Sequence, residues 1–160
     1  IEYKTAVLVG AAMKMGAIVA ETSEENADLI YDFGLNLGVA FQLQDDYLDA
    51  FGNPETFGKQ VGGDIIENKK TYLYLKALDF SKEDDKEQLL HLFSIQSNDN
   101  ANKIASVKEI FLSSGAANAT QDAIKSYTLK AFDTLEKMEI SKEKKMILRA
   151  FGEKLMNRNV

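Results

Sequence analysis

Gln42, Asp45, Asp46 and Asp49 stand at i, i+3, i+4 and i+7 within Phe41-Gln-Leu-Gln-Asp-Asp-Tyr-Leu-Asp49. On a helix this spacing puts all four on one stripe. Three carboxylates sharing a stripe repel one another, and Asp is a weak helix former. Phe41 and Leu48 make the surroundings partly apolar, so the acids need positive charge nearby to be tolerable. Mg²⁺ suits that need: it takes oxygen ligands, keeps several waters, and is held by one or two carboxylates with substrate phosphates completing its shell. Downstream, Lys59 follows Gly58 in a glycine-rich stretch, and Lys69 and Lys70 follow Asn68. Acids that hold a metal and lysines that hold phosphate are the two halves of a diphosphate site. Taken alone, the acidic triplet reads more readily as a solvated helix face, and each lysine as a solvated charge. Their occurrence together favours the diphosphate site. A calcium loop fails, because the twelfth position counted from Asp45 is Thr56, where a bidentate Glu is required.

Helices are the elements that must position these groups. Apolar spacing with a period near 3.6 recurs almost throughout and no segment sustains strand-like alternation, so the chain is predicted to be all-α. The first helix is predicted over Glu2–Ala20, with Gly10, Ala11, Ala12 and Gly16 permitting close helix contacts; as the most apolar stretch it is expected to be buried by neighbours, some of them before Ile1, and to leave apolar patches exposed on this piece alone. Thr22-Ser-Glu-Glu25 reads as a capping box opening a second helix that runs to about Ala50. Phe51 to Asn68 then holds Gly52, Asn53, Pro54, Gly58, Gly62 and Gly63, and reads as a long irregular segment whose glycines allow it to close over a ligand. Short helices are expected at Tyr72–Leu78 and from Ser81-Lys-Glu-Asp84 toward Phe93, with a polar linker at Asn98–Asn102. Helices over Ile104–Leu112, Ala116–Met138 and Ser141–Met156 follow, with Gly115 as a stop.

Composition narrows the classes of function. A length of 160 residues, 45% apolar and 28% charged, fits one globular domain spanning 1–160. The net charge of −6, with no basic run interleaved with aromatics, argues against a nucleic-acid partner. The Ala6–Ala20 stretch contains Lys14 and is shorter than the roughly 20 residues a membrane span requires, so none is expected. With no Cys there is no disulfide framework, which fits a reducing compartment. Ile1 is not an initiator Met, and an apolar helix follows it without a capping signal. The chain is therefore expected to begin partway through a larger protein.

Gln42-Leu-Gln-Asp-Asp-Tyr-Leu-Asp49, followed by Phe51-Gly-Asn-Pro54, Gly58-Lys59, Gly63-Asp64 and Asn68-Lys69, resembles the second aspartate-rich region of trans-isoprenyl diphosphate synthases of the farnesyl and geranylgeranyl type. Lys4-Thr5 is similar to a Lys-Thr pair that the family places on a neighbouring core helix. The motif-bearing part is residues 4 to 71, and the remainder is similar in helical texture only. The family's first DDxxD motif, the Arg residues after it and the N-terminal basic residues that hold isopentenyl diphosphate do not occur. The resemblance thus implies an isoprenoid synthase-type helical bundle, of which this chain is the C-terminal portion only.

The resemblance further implies a Mg²⁺-dependent prenyltransferase, cytoplasmic and homodimeric as the full-length enzyme. Its allylic diphosphate substrate would ionise, the double bond of isopentenyl diphosphate would attack the resulting cation, and proton loss would give a longer all-trans prenyl diphosphate. Asp45 would ligate the metal, with Asp46 and Asp49 binding directly or through metal-bound water. Lys4, Lys59 and Lys69 would neutralise diphosphate oxygens, while Thr5 and Gln42 would turn oxygen dipoles toward the cationic carbons. Simpler roles stay open for the last two: a helix cap for Thr5 and a hydrogen bond to a neighbour for Gln42. A terpene cyclase is expected to carry a different second motif, and a non-catalytic synthase subunit to have lost metal ligands that are intact here. A purely structural bundle would not bind a pyrophosphate analogue in a metal-dependent way.

Overall fold

Local chemistry decides where each helix begins and ends. The computed structural model describes residues 1–53 and 61–157. Pro54, Gly58 and Lys59 lie outside the described residues. Among the described residues there is a π-helical turn, Glu2–Ala6, followed by α1 (Val7–Val19), α2 (Glu24–Phe51), α3 (Gly63–Ile66), α4 (Tyr72–Phe80), α5 (Glu83–Leu92), α6 (Asn100–Ser113), α7 (Ala116–Lys137) and α8 (Lys142–Met156). The described residues include no strand, and no helix among them is long and apolar enough to cross a membrane.

The cap at the start of α2 sits one residue later than predicted. Ser23, not Thr22, accepts a hydrogen bond at its Oγ from the Asn26 N–H (3.3 Å), so the expected Thr22–Glu25 box does not form. Ser81 likewise does not cap α5: that helix starts from Lys82, and the Ser81 Oγ is buried without a hydrogen-bond partner among the described residues. The expected linker at Asn98–Asn102 is cut short because the Asp99 carboxylate accepts the Asn102 N–H (3.1 Å) and starts α6 at Asn100. Thr71 and Ser141 cap α4 and α8 through their hydroxyls. Gly115, at φ +85°, separates α6 from α7 in the left-handed conformation that glycine adopts at low cost.

The chain forms two compact units. Among the described residues one comprises Ile1–Gln44 and residues 123–157, the other Asp45–Asp122. In the first unit Phe33, Leu37, Ala131, Leu135 and Met138 are buried together, flanked by Leu148 and Leu155 of α8. The second has its own core, in which Ala50, Ile65, Leu73, Tyr74, Leu89, Val107, Ile110 and Phe111 pack, and the Tyr74 and Phe93 ring centroids lie 4.3 Å apart.

In the first unit α1 meets α2 along a seam of small residues. A Cβ at Gly38 would lie 2.8 Å from the Ala6 Cα, and one at Gly34 would lie 3.0 Å from the Gly10 Cα. Gly10 itself sits under the Tyr31 carbonyl, while Gly16, also expected at a close contact, has nothing within 4 Å. In this chain the first helix is buried along one face only. Ala6 and Gly10 are buried, but Leu8, Met15, Ile18 and Val19 are all more than half exposed. The reason is geometric: α1 turns its small residues, with Val9 and Met13, toward α2, and Leu8, Met15, Ile18 and Val19 stand on its other faces.

This packing separates two glycines of similar helical setting. Gly16→Ala should raise stability by up to about 1 kcal/mol through helix propensity alone. Gly38→Ala meets backbone and should lower it by about 1–2 kcal/mol, overpacking outweighing the same gain. Urea denaturation of the two variants checks the opposite signs.

Candidate functional site

In the first unit Lys4 and Thr5 occupy the π-helical turn, a widened geometry frequent at functional sites. The Thr5 and Ala6 N–H groups both reach the Ile1 carbonyl, at 3.1 and 3.4 Å. Lys4 is exposed and Thr5 half-buried. The Thr5 hydroxyl donates to the Gln42 Oε1 at 3.0 Å. Thr5 therefore does not cap its helix; its proton is committed to Gln42. The seam explains the meeting: Gly38 lets the backbone of Ala6 approach α2, and Gln42 stands one turn further along.

The last turns of α2, in the second unit, carry Asp45, Asp46 and Asp49. The helix is continuous through Phe51, so the spacing assumed for the acidic stripe holds. Asp46 is buried, and Asp45 and Asp49 are half-buried. The Asp49 carbonyl accepts the Gly62 N–H at 2.6 Å, and its carboxylate Oδ2 accepts the Asp64 N–H at 2.9 Å. Gly62 makes this return possible, because it holds φ +86° and a Cβ there would lie 2.7 Å from the Ile104 Cδ1. Gly63 adds room: a Cβ on it would press to 3.2 Å from the Asp49 Oδ1.

Burial pushes the Asp49 carboxyl above its usual range. The Asp64 N–H pulls it down, the charges of Asp64 and Asp45 push it up, and Lys69 pulls it down again. Lys69 is held by the Asp64 carboxylate at 2.7 Å and by Glu67 at 2.9 Å, and both acids raise its pKa.

Of the residues singled out from the sequence, the structure joins Thr5 directly to Gln42, and Asp49 to Lys69 by way of Asp64. It places Lys4 beside Thr5 on one turn, and Asp45 and Asp46 on the helix that carries Asp49. Lys59 lies outside the described residues. Asp64 and Glu67 were not among the expected site residues. Asp64 offered a signal, since Gly63-Asp64 belongs to the family-like pattern and stands five residues before Lys69.

Among the described residues no three His, Cys, Asp or Glu side chains converge tightly enough to cage a metal. Mg²⁺ does not require such a cage, since one or two carboxylates, water and phosphate suffice. The donor set is oxygen only, and Asp49 feels the negative charge of Asp45 and Asp64. These residues fit the protein share of a Mg²⁺ site that substrate completes.

The pattern of the polyprenyl synthetase family matches residues 1–111. A short chain isoprenyl diphosphate synthase of Methanothermobacter thermautotrophicus is 38% identical over 138 residues, which are 86% of this chain and 42% of that protein. A geranylgeranyl pyrophosphate synthase of known structure is similar over the whole chain and 50% of its own, with 51% identity and a TM-score of 0.91. A polyprenyl synthase from Caulobacter crescentus, solved in complex with calcium and isoprenyl diphosphate, gives 32% identity and a TM-score of 0.88 over the whole chain and 48% of its own. The chain thus spans about half the length of these relatives.

The return from Asp49 to Asp64 turns on Gly62. Gly62→Ala should cost about 1–3 kcal/mol of stability, combining left-handed strain with the Ile104 collision. Chemical denaturation measures it; an unchanged midpoint would mean that the turn is not constrained as described.

Proposed function

The chain belongs to the polyprenyl synthetase family, and we propose that it supplies the second aspartate-rich half of a prenyl diphosphate synthase. The reaction is condensation of an allylic diphosphate with isopentenyl diphosphate. The allylic C–O bond breaks and pyrophosphate leaves with the electron pair. The isopentenyl double bond then forms the new C–C bond, and loss of a proton restores an alkene. The observation that carries this reading is the Asp49–Asp64–Lys69 arrangement. A partly buried carboxylate is fixed by a backbone N–H, and a lysine is bound to the very residue that supplies it.

Asp45, with Asp46 and Asp49 directly or through water, would hold Mg²⁺, which when bound offsets the charge on the departing diphosphate. The relative crystallised with calcium and isoprenyl diphosphate supports a divalent ion and this class of substrate. Lys69, with Lys4 and Lys59, neutralises phosphate oxygens through charge-assisted hydrogen bonds. The Thr5 proton is already given to Gln42, so what Thr5 can offer a carbocation is its oxygen lone pairs. The same resemblance leads us to propose a homodimer in the cytoplasm.

Asp45→Ala in the full-length enzyme should lower kcat/KM by about a hundredfold or more while the circular-dichroism melting curve is kept. Near-normal turnover at saturating Mg²⁺ would remove Asp45 from the metal site. The 160-residue chain assayed alone, with geranyl diphosphate, labelled isopentenyl diphosphate and Mg²⁺, should yield no extractable prenyl product. It carries one aspartate-rich motif, and an unoriented second substrate gains nothing from proximity. Sustained turnover by this chain would show that the machinery lies elsewhere.

A further inference from the structure

Lys103 is a buried lysine, 2% exposed, on α6 among Val107, Ile110 and Phe111. Its ammonium donates to the Asn68 Oδ1 and to the Ile95 carbonyl (3.2 Å), and lies 5.9 Å from the centroid of the Phe93 ring. All three partners are neutral, and burial lowers the lysine's pKa. A Met or Leu would fill this place without the cost of taking a charge out of water. The head group earns its position by what it holds.

What it holds is Asn68. This residue stands at φ +56°, a left-handed conformation that a side chain disfavours and that Asn tolerates better than most. Its Nδ2 also donates to the Ile95 carbonyl (3.1 Å), so Asn68, Ile95 and Lys103 close a triangle. At this left-handed residue the chain leaves α3, and the next N–H, of Lys69, turns back to the Asp64 carbonyl at 2.9 Å. The Lys69 ammonium thereby reaches the Asp64 carboxylate, and the Asp64 N–H reaches Asp49. From Lys103 to Asp49 every link is a hydrogen bond or a single turn of chain.

We propose that Lys103 is a positioning residue of the diphosphate site: it pegs the Asn68 side chain to the Ile95 carbonyl, and so fixes the turn that sets Lys69 and Asp64 against Asp49. This role rests on the diphosphate reading given above. It assigns no contact with substrate to Lys103; the residue acts through Asn68 and Lys69. The Asn68 amide is the switchable link, because Gly at the same position can keep φ +56° while removing the peg.

The test uses the full-length enzyme carrying Lys103→Met, Asn68→Gly, Lys69→Ala and the Lys103→Met/Lys69→Ala pair. Binding of inorganic pyrophosphate at saturating Mg²⁺ is followed by calorimetry, and steady-state kinetics are measured below the melting temperature of each variant. Lys103→Met and Asn68→Gly should each weaken pyrophosphate binding about tenfold and lower kcat/KM by about ten- to a hundredfold. In the Lys69→Ala background Lys103→Met should change pyrophosphate affinity by less than about twofold, because its effect passes through Lys69. A folded Lys103→Met or Asn68→Gly enzyme with wild-type affinity overturns the proposal, as does full additivity with Lys69→Ala. Asn68→Gly carries the test if Lys103→Met does not fold. Wild-type enzyme that binds no pyrophosphate with Mg²⁺ would instead overturn the diphosphate reading itself, a distinct result.

Discussion

Negative charge that must be kept partly out of water organises the second unit from Asp45 to Lys69. Asp49 stands near the end of α2 with Asp45 and Asp64 close enough to raise its pKa, and desolvation acts in the same direction. The chain answers by returning a backbone donor. Gly62 bends the chain back, Gly63 leaves room, and the Asp64 N–H meets the Asp49 carboxylate at 2.9 Å. Only a residue without a side chain satisfies both the backbone angle at Gly62 and the closeness of Ile104. The short helix α3, the left-handed Asn68 and the placing of Lys69 all follow from where that return ends.

Lys69 is bound rather than idle. It bridges Asp64 and Glu67, and its side chain is about half exposed. An exposed ion pair of this kind contributes little net stability, because solvent screens it and the side chains lose freedom. A pair so weakly held can exchange a carboxylate for a phosphate oxygen at small cost. Lys103 presents the opposite case. Its charge is buried and its partners neutral, so each hydrogen bond it makes weighs more.

Close approach, rather than charge, governs the first unit. The α1–α2 seam is built from Ala6, Gly10, Gly34 and Gly38, and backbone lies where side chains would otherwise stand. That spacing lets a threonine in a π-helical turn hydrogen-bond a glutamine 37 residues away. It also leaves Leu8, Met15, Ile18 and Val19 of α1 exposed. The apolar character of this helix therefore describes more than its contact with α2.

Much of this was legible in the residues themselves. Helical periodicity marked α2, α7 and α8 to within a residue or two, since their apolar positions repeat over several turns. The acidic stripe, Gln42 and Lys69 stood out because residue type and spacing carry the chemistry, and Thr5 through the family resemblance alone. Caps were less legible: adjacent Thr22 and Ser23 offer equivalent hydroxyls, and only the path of the chain selects Ser23. The seam glycines Gly34 and Gly38 gave no sign, because a helical glycine is noticed only once its neighbour is known. Lys103 left a faint one, standing in helical register with Val107 and Ile110 on the apolar face of α6. Sequence by itself determined the helices and the family-like set of acids and lysines, which depend on nearest neighbours and residue chemistry. Tertiary structure alone decided that Asp64 completes Asp49 and that Lys103 holds Asn68. Those bonds span 15 and 35 residues, and a hydrogen bond between distant groups exists only where the packed backbone brings donor to acceptor.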